Sequence, residues 1–118
     1  MENNKVKVEL FVPSTHANEL RDAIGQAGGG KIGHYSHCSF SCKGKGQFKP
    51  QKGANPYIGN TGVIENVEEE KIEFVCDREV LDDVLDAIQK VHPYEEIGLF
   101  VFPIELYGLY NKHQGEYL

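Results

Sequence analysis

The hydrophobic period of this chain switches repeatedly between two residues and three to four, and the order of the switches leaves few folds open. Over residues 5–12, Val6, Val8, Leu10 and Val12 alternate with Lys5, Lys7 and Glu9, the pattern of a half-buried strand. Pro13, Ser14 and Thr15 end it and offer a hydroxyl cap. Ala17, Leu20, Ile24 and Ala27 then recur at helical spacing, Glu19, Arg21 and Asp22 face water, and Gly28 is a natural stop. Residues 31–40 read as a second strand, with Ile32, His34, Ser36, Cys38 and Phe40 on one face and Gly33, Tyr35, His37 and Ser39 on the other. A loop over 41–61 follows. Residues 70–76 are a third strand, which 63–67 extend across a bulge. Asp77 stands at an N-cap position, and Val80, Leu81, Val84, Leu85, Ile88 and Val91 form the stripe of a second helix. That helix closes at His92-Pro93, because a residue before proline avoids the helical region. Residues 96–102 are the fourth strand.

Strand, helix, strand, strand, helix, strand is the order of a ferredoxin-like α+β fold, a four-stranded antiparallel sheet with both helices on one face. The chain of 118 residues suits one domain, with a core over 5–103 and a C-terminal tail over 104–118. The other sheet face is left open. With Ile97, Leu99 and Val101 toward the helices, Phe100 and Phe102 point away from them. Large aromatics on an uncovered sheet call for a partner, most simply a second copy of the chain. The alternative is that Tyr107, Leu109 and Tyr110 of the tail fold back over them.

A formal net charge of −6 argues against nucleic acid and anionic membranes as partners, although Lys43, Lys45, Lys49 and Lys52 cluster locally. No apolar run approaches the roughly 20 residues of a membrane span. Three cysteines without a secretory signal point to reduced thiols in a cytoplasm.

The span 28–62 holds nine of the thirteen glycines, together with Pro50, Pro56, Cys38, Cys42, His34 and His37. A long loop of such specific composition in a small domain is usually functional. The types are right for a metal site formed by His37, Cys38, Cys42 and Cys76, taking a divalent or soft ion. The spacing is unfavourable: on one strand Cys38 and Cys42 lie on the order of 13 Å apart, and His37 and Cys38 face opposite ways. The alternative is that a buried thiol acts as a small hydrophobe.

A second cluster, His92-Pro93-Tyr94-Glu95-Glu96, sets an imidazole, a phenol and two carboxylates at a helix-to-strand corner. It suits cation binding or acid–base work; alternatively His92 merely caps helix carbonyls. The glycines match neither a P-loop nor a dinucleotide fingerprint, and no nucleophile elbow is readable, so nucleophilic catalysis has no positive support.

The two phrases GGGKIGHYSHCSFSCKGKGQFKPQKGANPYIG (28–59) and HPYEE (92–96), in this order and separation, resemble the inserted domain of the NGG-one-interacting-factor-three-like dinuclear metal-centre proteins, often labelled GTP cyclohydrolase 1 type 2 homologues. The resemblance runs over about 5–103. It implies a PII/CutA-like ferredoxin fold that associates around a three-fold axis and covers the mouth of a toroidal assembly. The metal-holding core of that family has no counterpart in this sequence, so its dinuclear chemistry does not transfer. The insert's surface does, at Gly33, Tyr35, Ser36, Cys38, Phe40, Gly44, Gly46, Phe48, Pro50, Gly53, Ala54, Pro56, Gly59 and 92–96; Cys42 and Cys76 fall outside the pattern.

These readings combine into a non-catalytic sensor or binding module, a homo-oligomer with a trimer favoured by the resemblance. Its small-molecule or divalent-cation ligand would sit where the long loop meets the 92–96 corner, against Tyr35, Phe48, Tyr57, His92, Tyr94, Glu95 and Glu96. The alternatives are a metal-handling protein using the Cys/His set and a structural domain docking on a separate core protein.

Overall fold

The computed structural model describes residues 4–105, 107 and 110–117, without the side chains of 110, 111, 116 and 117. Its elements are β1 (Lys5–Pro13), α1 (Ala17–Gln26), β2 (Phe40–Phe48), β3 (Glu65–Asp77), α2 (Arg78–Val91), β4 (Leu99–Pro103), β5 (Tyr110–Asn111) and β6 (Glu116–Tyr117), with a 3₁₀ turn at Ser14–His16. The first four strands form one antiparallel sheet in the order β2-β3-β1-β4, and β5 pairs with β6. The α+β, ferredoxin-like architecture expected from the element order is the one observed.

Alternation builds the core. Val6, Val8, Leu10 and Val12 of β1 and Ile72, Phe74 and Cys76 of β3 turn one face toward Leu20 and Ile24 of α1 and Val84 and Ile88 of α2, and all are buried. Ile97 and Leu99 pack against this cluster from the fourth-strand side. Removing such surface from water contributes about 1.5–3 kcal/mol per large aliphatic side chain.

Several sequence expectations need correction. The second strand lies at Phe40–Phe48, not over 31–40, so the middle of the supposed loop is β-structure. The 31–38 segment instead forms turns: Gly30 and Gly33 have φ of +77° and +55°, and His37 is a non-glycine residue at +61°. An extended run cannot pass through those angles. Residues 63–64 precede β3, and from Glu65 its register with β2 and then β1 is continuous, without a bulge. The fourth strand starts at Leu99, and Val101 is exposed rather than buried against the helices. Neither expected cap forms a side-chain bond; Thr15 Oγ1 pairs with His16 Nδ1, and Asp77 accepts from Lys5 at 2.7 Å.

β1 and β2 are staggered along β3. β1 pairs with 69–77 and β2 with 65–73, so the distal β2–β3 ladder and its loop run on past β1. The molecule is accordingly elongated, 56 × 24 × 23 Å.

On the face away from the helices, Phe40, Glu73, Glu9 and Phe100 lie across one row and Phe102 is opposite Lys7 in the next. Phe40, Phe100 and Phe102 are all exposed, and so is Tyr107. Leu109 and the side chain of Tyr110, invoked above as a cover, lie outside the described residues.

Candidate functional site

The staggered ladder carries the loop 49–64 to the corner that follows α2. Its base is closed by Gly62 N–H donating to Pro50 O at 2.8 Å, and a turn inside it by Ala54 N–H to Gln51 O at 3.0 Å. The corner is pinned to β1: Phe11 N–H donates to Gly98 O at 3.1 Å, and His92 Nε2 lies 2.6 Å from Phe11 O. His92 Nδ1 accepts from Tyr94 N–H at 3.2 Å. One ring nitrogen accepts and the other faces a carbonyl, so His92 is the neutral imidazole with its proton on Nε2.

Two polar bonds join corner and hairpin arm. Tyr94 Oη donates to Glu69 Oε2 at 2.9 Å, and Asn55 N–H donates to Glu95 Oε1 at 2.8 Å. Around them the Tyr94 ring lies 6.0 Å from Phe48 and 6.5 Å from Tyr57, centroid to centroid. The enclosed space is an open cleft of about 800 Å³ whose lining includes Phe11, Phe48, Tyr57, Glu69, Tyr94, Glu95 and Glu96. That volume matches small-molecule sites, about 300–1,000 Å³. Burial, followed by the bond to Glu69, pushes the Tyr94 phenol well above its ordinary 10.0, so it remains a hydrogen-bond donor.

The structure therefore draws Phe48, Tyr57, Tyr94, Glu95 and Glu96 to one cleft, with His92 packed behind the Tyr94 ring at 5.1 Å. Tyr35 is not among them; it is 74% exposed in a turn bridged to Ile32. The His37, Cys38, Cys42 and Cys76 set is dispersed. Cys76 is buried on the helix-facing side of β3, Cys42 is exposed on β2 opposite Lys71, and Cys38 precedes the sheet. His37 packs over Gly25 of α1. No group of three or more His, Cys, Asp or Glu that could hold a metal ion occurs among the described residues. Burial raises the Cys76 thiol above its ordinary 9.0, as for an inert core residue.

Sequence reasoning missed Glu69, Asn55 and Phe11, and it named Gly46 only through the resemblance, without a role. The one available signal was the run Glu68-Glu69-Glu70 inside a strand, where buried carboxylates require partners.

His92 carries a pH prediction. Burial, the largest influence, lowers it from its ordinary 6.5, against opposing effects of the Phe11 carbonyl and Glu69. The unfolded chain therefore takes up this proton first as pH falls. The stability His92 contributes is complete above about pH 6.5 and is lost as pH falls toward its lower folded value. Urea midpoints should drop from pH 7.5 to 5.5 in the native protein and change less in His92→Gln; equal slopes would exclude His92 as the cause.

Comparison with known proteins fits this geometry. No protein-family model matches the chain. A GTP cyclohydrolase 1 type 2 homolog of Halalkalibacterium halodurans is 47% identical over 98 residues, 83% of this chain and 26% of that protein. The chain is homologous to a segment of the GTP cyclohydrolase 1 type 2 homologues. It spans about a quarter of the length of these relatives. A Bacillus cereus protein related to NIF3 superimposes with a TM-score of 0.76 at 44% identity, over 86% of this chain and 26% of that one. At fold level alone, the divalent cation tolerance protein CutA of Archaeoglobus fulgidus matches with a TM-score of 0.63 and 17% identity, covering 94% and 91% of the two chains. Bacillus subtilis GlnK, solved with ATP, matches with 0.60 and 18%, covering 88% and 84%. Among the described residues no helix is long and apolar enough to cross a membrane.

Proposed function

We propose that the chain is a non-catalytic binding module, a sensor whose small-molecule ligand occupies the cleft between the 49–58 loop and the 92–96 corner. The observation that carries this is the convergence of Phe48, Tyr57 and Tyr94 on one open space bounded by Glu69, Glu95 and Glu96. Apolar walls with a few oriented polar groups are the usual make-up of a small-molecule site. The likeness to a CutA described by divalent cation tolerance and to a GlnK solved with ATP supports a binding role. The dispersal of the cysteines favours a small molecule over a thiol-bound metal. The homology reaches only a quarter of each GTP cyclohydrolase 1 type 2 homologue, so the activity in that name is not assigned to this chain. The free cysteines Cys38, Cys42 and Cys76 support a cytoplasmic location for the module in this reading.

The test is NMR shift mapping of the folded protein against a metabolite library. Saturable shifts clustered at Phe48, Tyr57 and Tyr94, weakened tenfold or more in Tyr57→Ala, are expected. A library without a saturable cleft ligand would sink the reading.

A second reading rests on the open sheet face, where Phe40, Phe100 and Phe102 are exposed. It makes this face the contact between copies of the chain, with the trimer implied by the resemblance, or with a separate core protein. Native mass spectrometry distinguishes these; a monomer at all concentrations removes the self-association form.

A further inference from the structure

The carboxylate at the cleft's floor indicates the ligand's chemistry. Glu69 is a β3 residue on the sheet face away from the helices, and only 9% of it is exposed. Its Oε2 is held by Tyr94, while the carboxylate lies so close to Gly46 on β2 that a Cβ there would overlap Oε1. Gly46 thus leaves the space in which this carboxylate sits, and both residues line the cleft. None of the ion pairs of the described residues includes Glu69. A carboxylate held at such depth gains from a cation placed beside it.

What surrounds it selects among cations. Phe11, Phe48, Tyr57 and Tyr94 line the same space, and aromatic faces attract weakly hydrated organic cations. Chelation of a metal ion needs several converging ligands, and no group of three is present among the described residues. Lys49 and Lys52 also line the cleft, but both are exposed, where solvent screens them.

We propose that the cleft takes the ammonium or guanidinium group of a small organic cation, received by Glu69 and enclosed by the rings of Phe48, Tyr57 and Tyr94. Glu95 and Glu96 at the corner add negative charge on the approach. This assignment rests on the small-molecule reading above and names its ligand class. Glu69 is the specificity-determining group and Gly46 the position that admits it.

The experiment titrates the full chain by calorimetry and NMR with benzylammonium, agmatine and tetramethylammonium. Benzyl alcohol, inorganic phosphate, ATP and Mg²⁺ serve as controls. Saturable binding of at least one organic cation at the cleft is expected. Affinity should fall tenfold or more in Glu69→Gln, which keeps the Tyr94 bond and removes the charge. Gly46→Ala, which must displace the carboxylate, should weaken the same cation, and Glu95→Gln with Glu96→Gln should weaken it less. If Glu69→Gln does not fold, the Gly46→Ala arm carries the test. Cation binding unchanged in either of these two variants overturns the proposal. So does binding of only a neutral, anionic or metal ligand at the cleft, an outcome that leaves the small-molecule reading standing. No saturable ligand of any kind overturns both.

Discussion

Gly30→Ala is expected to lower the unfolding free energy by about 3 kcal/mol, part of it from a collision that no side-chain rotation relieves. Gly30 crosses between α1 and the sheet with φ of +77°. Its N–H donates to Val75 O at 2.9 Å, and its carbonyl accepts from Cys38 N–H at 2.9 Å. A Cβ at this position would run into the Cys38 carbonyl oxygen and stand 2.8 Å from the Cys38 nitrogen. Both obstacles are backbone, so relief means giving up the bonds that hold the 31–38 turns to β3. Gly62→Ala supplies the control. Its φ is +81°, but nothing lies within 4 Å of the position a Cβ would take, so it isolates the left-handed backbone cost of about 1–2 kcal/mol. Denaturant melts of the two variants should therefore differ by more than 1 kcal/mol. Equal losses would show that Gly30 is needed for its dihedral alone.

That position also shows where sequence reading succeeds and where it fails. β1 and both helices were legible because each buries one face, so Val6 to Val12 and Val80 to Val91 write their geometry as an apolar period. β2 was not, because it is an edge strand whose alternation carries no burial contrast: of Phe40–Phe48 no residue is buried. Its sequence, FSCKGKGQF, looks like loop, yet backbone pairing with β3 makes it a strand, and the glycines reflect neighbours rather than flexibility. Gly46 in particular answers to Glu69, more than twenty positions away in the sequence. The 31–40 segment failed in the opposite sense: between Ile32 and Phe40 its apparent alternation sets no apolar face against a polar one, and the turn at His37 cuts it. The cleft was half legible. The phrase at 92–96 carries its own chemistry, but Glu69 and Asn55 join it only through the stagger of β1 and β2 along β3, which no local pattern encodes. The fold preceded the site.

The same limit hid Arg21, which helical spacing assigns to water. Its guanidinium instead spans α1 and the sheet, Nη1 donating to Glu70 Oε1 at 2.7 Å and to Ser41 Oγ at 3.1 Å, with Nη2 donating to Asn18. Glu70 stands opposite Val12 in the core-facing row of β3, and its side chain is only 10% exposed. Arg21 is the cation that reaches the carboxylate in that row. Arg21→Met keeps most of the aliphatic stem and removes the charge, leaving Glu70 without a cation. The expected loss is about 3 kcal/mol, the lower end of the range for a broken buried pair, since Arg21 keeps some contact with water. Glu70→Leu should cost less, about 1 kcal/mol, because the stranded guanidinium can hydrate. The double variant should come within about 1 kcal/mol of the native protein, since apolar groups replace both charges together. The resulting coupling of about 3 kcal/mol, read from a double-mutant cycle of denaturant melts, separates a pair holding a helix to its sheet from an ordinary surface contact, which yields about 0–1 kcal/mol. A coupling below 1 kcal/mol would mean that Glu70 is hydrated in place and that α1 is held by its apolar packing through Ala17, Leu20 and Ile24.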